Sequence, residues 1–176
     1  MKKINLLNQI SPDQALMILK DLAARDKQYK LIIEQLAKEF LSNVDIEDVA
    51  SDVFDALDML DVDDLFSSSG KTRYGYVEPS ERAWEMFEEA LEPFMEQLKK
   101  YKELFMSKEA KFYCMGILKG INDYENDSCS EFADWATDAP GEYFTSVLKE
   151  WKKDQENRED ITEMENYVKE NFSDFK

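Results

Sequence analysis

The chain has 176 residues, of which 43% are hydrophobic and 35% charged, and its 39 acidic residues against 22 basic ones give a formal net charge of −17. Histidine is absent, and the two cysteines, Cys114 and Cys129, form no C-x-x-C, which excludes Ser-His-Asp triads, histidine-ligated metals and zinc clusters within one chain. The charge argues against nucleic-acid and anionic-membrane binding, while 12% aromatics with only 5 glycines and 4 prolines points to an all-α core.

The first ten residues, MKKINLLNQI, build no signal-peptide core because Asn5, Asn8 and Gln9 break the apolar run, and no window reaches the span of a bilayer. The expectation is a cytoplasmic protein with reduced thiols, Cys114 being a small core residue. Ser11-Pro12-Asp13-Gln14 predicts a capped helix start, followed by Ala15, Ile18, Leu19 and Leu22 at helical spacing. A second helix is predicted from Asp26, with a wide stripe of Leu31, Ile32, Ile33, Leu36 and Phe40 suited to packing between neighbours. The third, from Asp45 to about Leu60, divides an apolar side from a row of Asp45, Asp48, Asp52 and Asp55, and a turn through Leu65 and Phe66 follows.

Residues 67–78, SSSGKTRYGYVE, break the helical pattern and Pro79 restarts it. Trp84, Phe87, Leu91, Phe94, Leu98, Tyr101 and Phe105 then form a heptad seam, interrupted chemically by Pro93, so a kinked helix or two abutting helices is predicted. After Ser107 as cap, Phe112–Leu118 is apolar on every face and predicts a surrounded central helix, in which Gly116 and Gly120 let a neighbour approach. Tyr143, Phe144, Val147, Leu148 and Trp151 mark another helix, and beyond the charged run KKDQENRED a weak stripe resumes after a cap at Asp160. The reading is an irregular helical bundle or helical-hairpin stack of about seven helices. Residues 1–152 form a helical domain, and 153–176 a charged helical tail, docked on its own domain or swapped into a tail-mediated dimer.

Lys71 and Arg73 are the only bases between Lys38 and Arg82, and they are interleaved with Tyr74 and Tyr76. These four are the candidate interaction residues, since long connections carry function and a guanidinium beside tyrosines suits a partner carboxylate. The alternative is structural: both bases pair with acids of the preceding helix while the tyrosines pack. Gly70-Lys71-Thr72 mimics the end of a phosphate-binding loop but lacks its upstream glycine, Leu65 standing there. The acidic row fails calcium-loop spacing. Glu85, Glu88, Glu89 and Glu92 suggest paired carboxylates, yet the di-iron pattern needs a histidine. Trp135 and Trp151 read as core anchors rather than pocket walls. No catalytic, cofactor-binding or metal-ligating residue is assigned.

The stretches Asp52–Tyr101 and Cys114–Phe144 resemble an uncharacterised helical region that accompanies SWIM-type zinc fingers in some bacterial proteins, a resemblance that covers about Ser11 to Trp151 and is most specific at Gly70–Pro79 (GKTRYGYVEP) and Ser130–Gly141. The finger itself needs C-x-C and C-x-H, and neither occurs, so zinc and nucleic-acid roles do not carry over. The resemblance implies a helical accessory or interaction module. The functional expectation is therefore a non-enzymatic module with a protein partner. The alternatives are an acidic decoy of a nucleic-acid-binding surface, or a carboxylate-based small-molecule-binding or hydrolytic protein.

Overall fold

Side-chain caps punctuate the chain. In the computed structural model, which describes residues 9–73, 75–153 and 155–172, Ser11 and Gln14 form the reciprocal capping box of α1, Pro12–Arg25. Asp26 ends that helix and caps the next, α2, Lys27–Leu41, by accepting from the Gln28 N–H at 2.8 Å. Asp45 caps α3, Ile46–Asp58, and Asp61 caps α4, Val62–Ser68. The turn expected through Leu65 and Phe66 is therefore a helix, held because Leu65 is fully buried beneath a capped first turn.

A two-stranded antiparallel sheet follows, β1 (Gly70–Thr72) and β2 (Gly75–Val77), and then α5, Pro79–Glu103, runs unbroken through Pro93. The remaining elements are α6 (Ser107–Asp127), a short 3-10 helix (Glu131–Trp135), α7 (Ala139–Lys152) and α8 (Arg158–Asn171). The all-α expectation holds, with eight α-helices among the described residues. Two expected caps are displaced by a few residues. Ser107 is the first residue of α6 after an N-cap at Met106, and α8 is capped by Asn157, which leaves Asp160 free for a longer-range partner.

The chain divides into two units, residues 1–43 and 44–176. In the first, α1 and α2 pack on each other, but neither helix has a buried residue. In the second, α6 is the central helix, burying Cys114, Met115, Ile117, Leu118 and Ile121 along with both of its glycines. A Cβ on Gly116 would sit 2.6 Å from Val49 Cβ, and one on Gly120 would sit 2.6 Å from the Ala50 carbonyl oxygen. The G-x-x-x-G spacing is thus the seat of α3, which packs against α6 more extensively than any other pair of elements. Phe87, Leu91, Leu98 and Tyr101 of the α5 seam are buried, while Trp84 and Phe94 are half-buried.

Phe105 departs from that seam because α5 ends before it. Leu104 is the C-cap and Phe105 adopts φ 56°; its N–H donates to the Lys102 carbonyl and that of Met106 to the Tyr101 carbonyl, each at 3.0 Å. This is a Schellman ending with phenylalanine where glycine is favoured, and the ring is left 91% exposed.

The tail residues docked on α6 are polar as well as apolar. Met164 is fully buried, and Lys111, only 5% exposed, donates to Asp160 at 2.6 Å and to Glu163 at 2.5 Å. Burial opposes the Lys111 charge, but the hydrogen bonds of Asp160 and Glu163 outweigh it and raise its pKa.

Candidate interaction site

The stretch Gly70–Pro79 is a β-hairpin rather than a structureless loop. Lys71 pairs across the strands with Tyr76, and Thr72 with Gly75. Gly70 at φ 80° and Gly75 at φ 141° supply backbone conformations that other residues rarely adopt. The periodicity of two is short, and its only branched or aromatic strand residues are Thr72, Tyr76 and Val77, which is why sequence pattern alone reads it as a gap.

This geometry places Lys71 and Tyr76 opposite one another, and Arg73 at the tip. All three are exposed, Tyr76 at 65%. Among the described residues no ion pair involves Lys71 or Arg73. Tyr74 lies outside the described residues.

The alternative in which both loop bases pair with acids of the preceding helix has no such ion pair among the described residues, and the base that reaches back to α4 is Arg82 at the start of α5. Its Nε donates to Ser68 Oγ at 3.1 Å, at the end of α4. Its two terminal nitrogens form a fork on the Glu89 carboxylate at 2.8 and 3.1 Å, and one also reaches Glu85 at 3.0 Å. The Glu89 hydrogen bond foremost raises the Arg82 pKa, and Arg82 in turn lowers that of Glu89. Arg82 thus ties the end of α4 to α5, while the hairpin cations Lys71 and Arg73 are exposed.

The other candidates are less built. Glu85, Glu88, Glu89 and Glu92 all lie on α5 and line a cleft of about 600 Å³ with Tyr143 and Ser146 of α7. Two of the four are held by Arg82, and no carboxylate from a second element lines this cleft. On α3, Asp45 is spent as a cap, Glu47 meets Lys119 at 3.3 Å, and Asp58 accepts from Ser128 Oγ at 2.6 Å. Among the described residues no three cysteine or carboxylate side chains converge as metal ligands.

Trp135, expected in the core, lies at its rim, edge-on to Phe66 at 5.0 Å, because the 3-10 helix buries Phe132 instead. Trp151 is buried as expected, and its indole N–H has no acceptor among the described residues. It lines a cavity of about 470 Å³ with Met95, Leu98, Lys102 and Phe105. Sequence reading missed this corner because the heptad phase runs through Phe105 without a glycine to announce the helix end.

Among the described residues, no helix is long and apolar enough to cross a membrane. In comparisons with protein-family models, with curated proteins and with solved structures, nothing matches the chain.

Proposed function

We propose that this protein is a non-enzymatic helical interaction module, an accessory protein of the cytoplasm that docks a protein partner through the β1–β2 hairpin. The reading rests on one observation: Lys71, Arg73 and Tyr76 are exposed on the hairpin, and among the described residues no acid pairs with either base, on a chain of net charge −17. A surface with so many carboxylates could have neutralised these cations internally, as it does Arg82, Lys111 and Lys119. An exposed guanidinium beside an aromatic ring suits an acidic segment of a partner, which it can grip by bidentate hydrogen bonds. The resemblance to the helical region beside SWIM-type fingers agrees with an accessory role and adds no chemistry of its own.

The test is binding of the intact protein to arrays of acidic, neutral and basic peptides, with Arg73→Ala and Lys71→Ala variants compared with wild type. Selective capture of acidic peptides, lost in the variants at an unchanged melting temperature, is the expected result. Retained capture in both variants, or a preference for basic peptides, refutes the assignment.

A further inference from the structure

The first unit has its apolar residues in the right order and nowhere to put them. Ala15, Ile18, Leu19 and Leu22 make one stripe on α1; Tyr29, Ile32, Ile33, Leu36 and Phe40 make another on α2. Mutual packing covers only part of each stripe. Ile18, Leu19, Tyr29, Ile32 and Leu36 keep roughly half of their surface in water, and Phe40 keeps 84%. Helices of 14 and 15 residues are too short to persist on propensity alone and draw their stability from burying such a face.

We propose that this face is a homodimer interface, in which the α1–α2 pairs of two copies of the chain assemble into a four-helix bundle. Three observations favour a second copy as the occupant. The first is area. Six half-exposed large side chains offer on the order of 600 Å² per copy, so a two-fold pair covers about 1,200 Å², above the roughly 1,000 Å² that a specific interface needs.

The second is charge. Residues 1–43 hold seven bases and five acids, whereas the remainder holds 15 bases and 34 acids. The near-neutral unit is the part of this chain that can meet its own copy without the repulsion that a net −19 imposes elsewhere.

The third is that several polar groups of the pair are engaged within their own helices. Asp21 pairs with Arg25 at 2.6 Å, Lys30 with Glu34 at 3.6 Å, and Gln35 donates to Glu39 at 2.9 Å. The stripes themselves are apolar, and the same two stripes on a second copy, of matched length, are complementary to them by symmetry. The interface uses none of the residues assigned to the β1–β2 hairpin, so this proposal and the partner-docking proposal fail independently.

The experiment is sedimentation equilibrium of the full-length chain at micromolar concentrations. The double variant Ile32→Glu/Leu36→Glu is compared with a control, Met17→Glu/Leu31→Glu, whose sites lie on the opposite sides of the two helices at 100° per residue. Wild type is expected to be dimeric. The stripe variant should dissociate at least about 100-fold more readily, because four carboxylates would be buried per dimer, and the control should match wild type. All three tryptophans, Trp84, Trp135 and Trp151, lie in the second unit, so an unchanged fluorescence spectrum shows that the variant remains folded there.

Hydrogen exchange separates the other occupants. Protection of α1 and α2 amides should fall on dilution together with the dimer. A wild type that is monomeric at every concentration overturns the proposal, as does a dimer that the stripe variant leaves intact or that the control weakens equally. Amide protection in α1–α2 that is independent of concentration also overturns it, since the face would then be covered within one chain.

Discussion

Phe105→Gly should stabilise the protein. A residue with a Cβ held in the left-handed region costs about 1–2 kcal/mol, and glycine removes that cost. Glycine also frees the unfolded chain, which returns roughly 0.5–1 kcal/mol against the gain. Burial adds little to the balance, since the Phe105 ring is 91% exposed and leaves almost nothing behind when deleted. The two Schellman hydrogen bonds use backbone groups alone and persist. The net expectation is a gain of about 0.5–1 kcal/mol.

Urea unfolding followed by tryptophan fluorescence reads the second unit directly, and the midpoint should rise at unchanged slope. Phe105→Ala is the decisive control, because alanine removes the ring and keeps the strain. Its midpoint should stay within error of wild type. If alanine and glycine shift stability equally, the ring and not the backbone governs this corner, and the reasoning fails. If glycine lowers the midpoint, Phe105 makes a contact worth more than its exposure indicates.

Two further outcomes follow from the core of the second unit. Gly120→Ala places a methyl group 2.6 Å from the Ala50 carbonyl oxygen and against Val53, where backbone must move. The clash should outweigh the helix propensity gained, leaving a net loss of about 2 kcal/mol in the same urea assay, and a neutral result would mean that α3 does not sit on this glycine. Tyr113, Tyr124 and Tyr143 are each pushed up to about 12, by burial first and by nearby charge second, from an ordinary value of 10.0. Between these values the unfolded chain loses protons that the folded chain keeps. Stability contributed by the three phenols is therefore complete below pH 10 and is lost as pH rises toward 12. Spectrophotometric titration should show them ionising after the exposed tyrosines and together with unfolding, whereas ionisation of all eight near pH 10 in folded protein would contradict their burial.

Where a local signal and the tertiary environment agree, the chain is readable from its letters. Ser11–Gln14 is legible as a capping box because both partners lie three residues apart, and the apolar run of α6 is legible as central because a helix without a polar face has to be surrounded. Gly116 and Gly120 announce a close neighbour but not which one. That α3 fills the place follows from its small and branched face, Val49, Ala50 and Val53, meeting the glycines at a distance only the fold fixes. Lys111 reads as an ordinary charge at the edge of an apolar run. Its partners Asp160 and Glu163 stand 49 and 52 residues away, and no periodicity links them to it.

The same limit governs the candidate site. Sequence reading marked Lys71 and Arg73 correctly as isolated bases in an acidic region, and it left open whether they serve as clamp or as contact. Arg82 looks in the sequence like one more charge on a helix surface. It reaches back 14 residues to Ser68 and forward seven to Glu89 of its own helix, a link between α4 and α5 that involves neither hairpin base. Arg73 itself is exposed, and among the described residues no acid of the preceding helix pairs with it. Desolvating an unpaired guanidinium inside its own fold would be costly, whereas a partner that brings its own carboxylate offsets part of that cost with charge-assisted hydrogen bonds.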